Sequence, residues 1–365
     1  MKEAWVVLAE GDRRRWGGDL RRHYLLRGLA GRMEATVLET WRAPTLSRAL
    51  RRIVGRRRAV WRRRPLVASS EALDDEQLGI VERFGVPFLL DVHDDTLLQG
   101  DALGIPPPEP AATRIATQTA RNRSAFRWLV APSAPFAALT DLPADRVIVA
   151  SNGTASDVVR PAPWPASPAV AFVSGAAPRR GIEELIAAVR IVRDSIPEVR
   201  LDLWLAATGD DSRTYLDRLQ ASVAGDDWIA FGHSPYAELG EAVGRATVIA
   251  NPTPAHPYWD SVAQIKLFDN FAAGRPVVTT PRTETVRVLT EAKAGVVTAD
   301  DSPAAMAAGL LLVLRNDAMA RSLGANARRA AERDYDWSVI GRRLAEEVDA
   351  ATRWSRWRRR PFAIR

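Results

Sequence analysis

Apolar positions along the chain follow two patterns that alternate. In the first, four to seven mostly apolar residues stand together, many of them Val, Leu or Ile, which is typical of buried strands. This pattern predicts twelve strands: AWVVLA, ATVLE, PLVAS, VPFLLDV, WLVAPS, RVIVAS, AVAFVSG, VRLDLWLA, WIAFG, ATVIAN, RPVVTT and AGVVT. In the second, apolar residues recur every three or four positions, as in DLRRHYLLRGLA, and predict amphipathic helices. Strands and helices that alternate in this way predict a parallel, doubly wound α/β fold, and the alternation occurs twice.

One proline-rich stretch, RPAPWPASPA, interrupts the alternation and is typical of a stiff linker. It divides the chain into an N-terminal Rossmann-like domain at 1–160, a linker at 161–169 and a C-terminal Rossmann-like domain at 170–335. A terminal helix with a basic tail follows at 336–365. Ligands of such folds bind outside the carboxyl ends of the strands, so we expect a site in the cleft between the two domains.

The segment SVAQIKLFDNFAAGRPVVTT, in the C-terminal domain, predicts a helix that carries two residues of opposite charge. Its apolar positions predict a helix that ends before Gly274 and is followed by a strand; they are Val262, Ile265, Phe268 and Ala272. Lys266 and Asp269 stand three residues apart on this helix. They are either a surface ion pair or a cation and a carboxylate that hold a ligand.

Charge changes the picture at the two ends of the chain. The net charge is +7, and residues 1–64 hold 18 basic and 6 acidic residues, whereas residues 351–365 hold six arginines and no acidic residue. In RRIVGRRRAVWRRRP, at 51–65, and in RWSRWRRRPF, at 353–362, the arginines alternate with apolar and aromatic residues. This pattern favours peripheral attachment to an anionic membrane from the cytoplasmic side. The alternative is a solvated run of charge; nucleic acid is not expected, because no recognition motif accompanies the arginines.

Other bulk properties exclude several classes of protein. The chain of 365 residues contains no cysteine, which excludes a disulfide framework and thiol metal sites. The first apolar run, at 4–9, is too short for a signal peptide, and no run approaches the ~20 apolar residues of a membrane span. No grouping of residues has the spacing of a metal site, so we expect neither a metal nor a cofactor.

Candidate chemistry in the N-terminal half lies in two loops that follow predicted strands. Gly17 and Gly18 precede a helix whose N-terminus could approach an anion, although an ordinary strand-to-helix turn has the same pattern. His93, in DVHDD, follows the fourth strand and is a candidate for the site or a structural histidine. Asp94 and Asp95 follow it, and one of them could cap the next helix.

In the C-terminal half, Arg179 and Arg180 precede Gly181 at a predicted helix start. Cations at a helix N-terminus oppose the helix dipole, and a bound polyanion would reverse that cost. The alternative is two solvated arginines in a turn.

Five motifs resemble, in order, the family-4 glycosyltransferases of the GT-B fold. They are VIVASNGTASDVVRP, VSGAAPRRG, LFDNFAAGRPVVTT, AGVVTADDSPAAMAAGL and YDWSVIGRRL. The resemblance covers the second half almost from end to end, and the first half only in layout. It implies a retaining enzyme that moves a sugar from a nucleoside-diphosphate sugar to an acceptor hydroxyl. A lipid-linked or cell-envelope glycan is the expected acceptor, as in polysaccharide biosynthesis.

The resemblance also implies roles for particular residues. Asp269 stands where the family has a carboxylate that binds the ribose, and Lys266 lies one helical turn before it. Arg180 stands where the family has a loop lysine that holds the diphosphate. The sequence departs from the family at Gly175, where an arginine is usual, and at Ser261, where a glutamate is usual.

We therefore assign donor binding to six residues: Arg179, Arg180, Gly181, Ser261, Lys266 and Asp269. His93 and Lys266 are the candidate catalytic residues, and Gly17 and Gly18 form the candidate acceptor or phosphate loop. Two alternatives to a transferase remain, and the departures favour the second. One is a nucleotide-sugar 2-epimerase of the same fold, and the other is a non-catalytic nucleotide-binding module.

Overall fold

The structure is a computed structural model that describes residues 5–9, 17–30, 35–39, 65–69, 73, 78–79 and 86–358. The chain divides into two compact units. Unit 1 contains the described residues of 1–94, 113–151 and 337–365, and unit 2 contains 95–112 and 152–336. The segments 51–64 and 359–362 of the two basic stretches lie outside the described residues.

Unit 1 is built on a six-stranded parallel sheet with the order β2-β1-β3-β4-β5-β6. Its strands are β1 (Trp5–Ala9), β2 (Ala35–Glu39), β3 (Pro65–Ser69), β4 (Val86–Asp91), β5 (Trp128–Ala131) and β6 (Val147–Val149). Its helices include α1 (Gly17–Ala30), most of α3 (Ala111–Ala125), α4 (Ala134–Leu139) and α13 (Trp337–Arg358), and α2 (Thr96–Leu103) belongs to unit 2.

The packing of α13 on α1 depends on two glycines. A Cβ atom on Gly341 would lie 2.8 Å from the Cα atom of Gly28, which is closer than real Cβ contacts allow. The two helices can therefore approach each other only because both positions lack a side chain. In this way the last described helix of the chain joins the first unit.

Unit 2 is built on a second parallel sheet with the order β12-β11-β10-β7-β8-β9. Its strands are β7 (Ala169–Gly175), β8 (Arg200–Ala206), β9 (Ile229–Gly232), β10 (Val248–Asn251), β11 (Val277–Thr279) and β12 (Gly295–Val297). This is the order of a Rossmann sheet, in which the direction of winding reverses between β7 and β10. Ligands of this fold bind where the carboxyl ends of these two strands meet.

The helices of unit 2 cover both faces of that sheet. Besides α2, they are α5 (Ile182–Arg193), α6 (Asp210–Ser222), α7 (Leu239–Gly244), α8 (Pro257–Ser261), α9 (Ile265–Ala272), α10 (Thr283–Ala292), α11 (Pro303–Leu314) and α12 (Asp317–Ala330). Alternate residues of β8 show why two layers form. Leu201, Leu203 and Leu205 pack with α5 and α11 in one core, and Trp204 packs against the core on the other face.

The sequence prediction of two Rossmann-like sheets is confirmed, and each of the twelve predicted strands contains an observed strand. The structure differs from the prediction in two places, a domain boundary and a helix. Residues 95–112 and 152–160, assigned to the N-terminal domain, belong to unit 2. The helix predicted through Val262 is two helices, because Val262 and Gln264 have extended backbones and separate α8 from α9.

The proline-rich stretch is packed onto unit 2 and is anchored by Arg275, which is 1% exposed. Its guanidinium donates to the carbonyl oxygens of Ala162 and Pro163 in this stretch, at 2.9 and 2.8 Å. It also donates to carbonyl oxygens of unit 2 at Gly244, Ala246 and Gly274. The guanidinium groups of Arg275 and Arg321 both lie against the indole of Trp164, 4.5 and 4.9 Å from the ring centre. The predicted linker is therefore fixed against the domain that follows it.

Candidate functional site

The loops after β7 and β10 meet where the winding of the unit 2 sheet reverses. Gly181 ends the first loop with φ of 74°, and a Cβ atom there would lie 1.9 Å from the carbonyl oxygen of Pro252 in the second. A residue with a side chain could fit neither the space nor the backbone angle. Gly181 therefore keeps the two loops in contact at the start of α5.

Lys266 lies in the first turn of α9, beside this meeting point. Its Nζ atom lies 4.6 Å from the centre of the Phe172 ring on β7 and is enclosed, although the stem of the side chain is partly exposed. Within the part of the chain that the structure describes, Nζ has no hydrogen-bond partner and forms no ion pair. Burial, and then the nearby charge of Arg180, hold the pKa of Lys266 well below its usual range.

Arg180 provides a second cation near Lys266. Its guanidinium lies over the ring of Trp259 on α8, 4.9 Å from the ring centre. Both cations thus lie against aromatic rings beside the loops that follow the strands. A bound anion would supply the negative charge that Lys266 lacks among the described residues, and the N-terminus of α9 also favours an anion.

Arg179, the neighbouring candidate, turns away from this pair. It is exposed, has φ of 54°, and donates from Nη1 to the carbonyl oxygen of Asp101 at 3.5 Å. Its guanidinium lies against Gly104. In this structure the arginine therefore contacts segment 95–112.

That segment contacts α8 through two further side-chain pairs. His256 Nε2 lies 3.1 Å from Asp101 Oδ2, and Gln99 donates to the hydroxyl of Tyr258 at 3.2 Å. His256 also caps α8, because its Nδ1 accepts the backbone N–H of Tyr258. His256 was not among the residues expected from the sequence, in which the only signal was a histidine before a proline at a helix start.

Asp269 is buried on α9 and is 4% exposed. Its Oδ1 accepts hydrogen bonds from Thr154 Oγ1 at 2.8 Å and from the Tyr236 hydroxyl at 3.0 Å, whereas Oδ2 accepts none from the described residues. Burial raises the pKa of Asp269 to about 7 despite these two donors. Asp269 and Lys266 form no ion pair, so a surface ion pair is the wrong interpretation. A ribose contact is possible geometrically only through Oδ2.

Ser261, which departs from the family, and Glu284, a second polar residue of this region, both have local partners. The hydroxyl of Ser261 donates to the carbonyl oxygen of Tyr258 at 2.8 Å, within α8. Glu284, at the start of α10, is buried and pairs with Arg287 at 2.6 Å. Both side chains therefore make local contacts that stabilise their own helices.

Unit 1 contains the remaining candidates. Gly17 and Gly18 form the beginning of α1. His93 is 6% exposed just after β4, and its Nδ1 lies 3.1 Å from Oδ2 of Asp91. Asp91 in turn accepts hydrogen bonds from Arg21 on α1, from Nε at 3.1 Å and from Nη2 at 2.8 Å.

Arg21 and Asp91 were missed by the sequence analysis. Both are buried, at 0% and 1% exposure, and Arg21 also donates from Nη1 to the carbonyl oxygen of Ser151. Burial alone would raise the pKa of Asp91, but Arg21 and His93 hold it well below its usual range. The carboxylate is therefore ionised. Asp91 belongs to the motif DVHDD, yet nothing in the sequence indicated an arginine 70 residues away as its partner.

Residues 167–316 match the family model described as "Glycosyl transferases group 1". The matched residues lie within unit 2. The chain is also 30% identical over 171 residues to phosphatidyl-myo-inositol mannosyltransferases of Mycobacterium tuberculosis and Mycobacterium bovis. That match covers 46% of this chain and 43% of each relative, so it includes less than half of either protein.

Solved structures resemble the chain over nearly its full length. Sucrose-phosphate synthase from Thermosynechococcus elongatus has a TM-score of 0.69 at 14% identity, covering 97% of this chain and 100% of that one. HepE from Anabaena, in complex with UDP-glucose, has a TM-score of 0.64 at 14% identity, covering 95% and 100%. WaaG, a glycosyltransferase involved in lipopolysaccharide biosynthesis, has a TM-score of 0.63 at 13% identity, covering 94% and 99%. These similarities confirm that the chain has the GT-B fold, in which the two units are Rossmann-like.

The described residues also lack two kinds of feature. Among them, no three histidine, aspartate or glutamate side chains are grouped as a metal ion would require. The helices within the described ranges are also too short or too polar to span a bilayer.

Proposed function

We propose that the protein is a glycosyltransferase that moves a sugar from a nucleoside-diphosphate sugar to the hydroxyl group of an acceptor. One observation carries the proposal. The enclosed Nζ of Lys266 lacks an acceptor among the described residues and lies near Arg180, where a group 1 domain reverses its winding. A diphosphate has the negative charge and the oxygen atoms that Lys266 lacks among the described residues.

The proposed role of these residues is to stabilise the charge of the leaving group. When the sugar leaves, negative charge develops on the nucleoside diphosphate, and Lys266, Arg180 and the N-terminus of α9 stabilise it. Lys266 is thus both a donor-binding and a candidate catalytic residue. We assign the ribose to Oδ2 of Asp269 and retention of configuration to the reaction, as the family resemblance implies.

The acceptor side is assigned to unit 1, around His93 and the start of α1 at Gly17 and Gly18. The curated relatives act, by name, on a phosphatidyl-myo-inositol. This supports a lipid-linked acceptor, reached by a protein that attaches peripherally to the cytoplasmic face of a membrane. The basic segments 51–65 and 353–362 are the proposed attachment surfaces.

The donor site is tested by nucleotide binding. Lys266→Met removes the charge but keeps the length of the side chain, and Arg180→Ala removes the second cation. Each variant is expected to weaken binding of UDP, GDP or ADP by about 1.5–3 kcal/mol in titration calorimetry, the range for a charge-assisted hydrogen bond. The matched control is Lys293→Met, at an exposed lysine of the same domain. Wild-type affinity in both site variants would place the nucleotide elsewhere.

A non-catalytic nucleotide-binding module is the second candidate. It is favoured by Asp269 and Ser261, whose side chains make contacts within unit 2 where the family has carboxylates for the donor. Incubation with UDP-, GDP- and ADP-sugars separates the candidates. A transferase releases the diphosphate in an acceptor-dependent manner, an epimerase releases it with an epimerised free sugar, and a module binds the nucleotide and releases nothing.

Membrane attachment is tested by co-sedimentation with vesicles. We expect pelleting with anionic vesicles and none with neutral vesicles, because each basic residue near an anionic surface contributes about 1 kcal/mol. High salt should abolish pelleting, and deletion of 353–365 should reduce it. Equal pelleting with both kinds of vesicle would contradict the attachment and leave the transferase proposal intact.

A further inference from the structure

Lysine is rare in this chain, and one of its lysines lies in the candidate site. The sequence contains three lysines, Lys2, Lys266 and Lys293, among 51 basic residues, so arginine supplies nearly all of the positive charge. The two residue types differ in how firmly they hold a proton. A guanidinium stays protonated near neutral pH, whereas a buried ammonium group can lose its proton. Position 266 therefore holds a side chain that can become neutral.

The surroundings of Lys266 favour the neutral form. Its Nζ atom is enclosed 4.6 Å from the centre of the Phe172 ring and has no hydrogen-bond partner among the described residues. An ammonium group without an acceptor is costly to bury, and the nearby guanidinium of Arg180 adds repulsion. The face of the ring attracts a cation, but it does not replace the hydration that an ammonium group loses on burial.

The acidic side chains of the neighbouring elements have other partners. On the helix of Lys266 itself, Asp269 accepts hydrogen bonds from two hydroxyl groups. On α8, Asp260 lies 3.7 Å from a guanidinium nitrogen of the loop after β11. In segment 95–112, Asp101 faces a histidine at 3.1 Å. The described residues therefore give Lys266 no counter-ion.

We propose that Lys266 is a neutral amine in the free protein and takes up a proton from the solvent when the diphosphate of the donor binds. This inference rests on the proposed function, because the diphosphate is the anion assigned to this lysine. The phosphate oxygens accept hydrogen bonds from the ammonium group and supply the negative charge that the described residues do not. The protein thus carries no unpaired buried charge before the nucleotide binds, and a full cation afterwards.

Proton uptake makes the affinity for the nucleotide depend on pH in one direction. Where the free lysine is neutral and the bound lysine is charged, a rise in pH removes the proton that binding requires. Affinity then falls by up to about tenfold per pH unit. Lys266→Met has no amine to protonate, and Lys266→Arg keeps its proton in both states. Both variants are therefore expected to lose this pH dependence.

The first test uses the full chain without nucleotide. With lysine labelled with ¹³C and ¹⁵N, the Cε and Nζ signals are assigned by substituting each lysine with arginine and are followed as the pH is changed. We expect the Lys266 signal to titrate well below the usual range of a lysine, with the signals of Lys2 and Lys293 as references. A Lys266 signal that titrates in the usual range would overturn the proposal.

The second test counts protons by titration calorimetry with UDP, GDP and ADP. Each titration is made in two buffers of different ionisation enthalpy, at a pH where the first test shows the neutral amine. We expect uptake of about one proton by the wild type and by the control Lys293→Met, and none by Lys266→Met. Asp269→Asn is a second control, because Asp269 has a pKa of about 7, and it should keep the uptake.

The outcomes separate the two proposals. A nucleotide that binds without proton uptake, or with equal uptake in Lys266→Met, would overturn this inference and leave the proposed function intact. A protein that binds none of the three nucleotides would contradict the proposed function and the uptake together, whereas the spectra of the free protein still decide whether Lys266 is a neutral amine.

Discussion

At the scale of single residues, Asp269 carries a carboxyl group whose ionisation destabilises the folded protein. Burial raises its pKa from 3.8 to about 7, so the folded state binds a proton between these values and the unfolded state does not. Stability therefore falls as the pH rises from about 4 to about 7 and is constant above that range as far as this group is concerned.

Asp269→Asn is expected to remove this pH dependence. The amide oxygen can accept from Thr154 and Tyr236 as Oδ1 does, and the amide does not ionise. The variant should match the wild type near pH 4 and exceed its stability by about 2–4 kcal/mol at pH 8, in urea unfolding across this range. Asp145→Asn, at an exposed aspartate, is the control. A stability difference that does not grow with pH would contradict the shifted pKa.

Sequence alone predicted where Lys266 and Asp269 lie, but not what they contact. Their spacing on an amphipathic pattern placed both on one helix, and α9 contains them. The contacts of Asp269 come from Thr154 and Tyr236, which are 115 and 33 residues away. Nothing in a local pattern records such partners, and the same holds for Arg21 and Asp91.

At the scale of elements, Arg275 fixes the proline-rich stretch against unit 2. Its guanidinium satisfies carbonyl oxygens of the proline-rich stretch and of unit 2 at the same time. Burial lowers its pKa to about 10, which still leaves the guanidinium charged at neutral pH.

Arg275→Met should destabilise unit 2 by about 3 kcal/mol or more, because several buried carbonyl groups lose their donor. Urea unfolding measures the loss, and hydrogen exchange should be faster at Ala162 and Trp164. Arg321→Met is the matched control, since Arg321 also lies against the Trp164 ring but is exposed. Its loss should be about 1 kcal/mol or less. Similar losses in both variants would contradict the anchoring role.

The boundaries of the strands and helices show what the hydrophobic pattern can predict and what it cannot. The strands of both sheets were predicted because buried parallel strands are continuous apolar runs. The break between α8 and α9 was not predicted, because Val262 fits the helical period. Its extended backbone follows from tertiary contacts. One of these is the hydrogen bond from Asn152 to the carbonyl oxygen of Ala263.

At the scale of the molecule, unit 2 is assembled from two separate parts of the chain. Segment 95–112 lies between elements of unit 1 in sequence, yet it contacts α8 and the loop after β7. No sequence signal indicated that segment 95–112 belongs to unit 2. The proline-rich stretch predicted one domain boundary, whereas the chain also passes into unit 2 and back at residues 95 and 112.

Adding a synthetic peptide of residues 95–112 to a fragment of residues 152–336 should raise the melting temperature of the fragment. We expect a rise of about 2–5 °C at saturating peptide, since a ligand stabilises the folded state that binds it. A peptide with Gln99→Ala and Asp101→Ala lacks the contacts to Tyr258 and His256 and is the control. A folded fragment that responds equally to both peptides would contradict the specific contacts.

The same arrangement has a consequence for synthesis on the ribosome. Residues 95–112 leave the exit tunnel before any strand of the unit 2 sheet has been translated, so their binding surface does not yet exist. The helix α2 and the prolines after it must remain without their final contacts until α8 emerges. A chaperone that binds nascent chains would find a target in this segment until α8 has been translated.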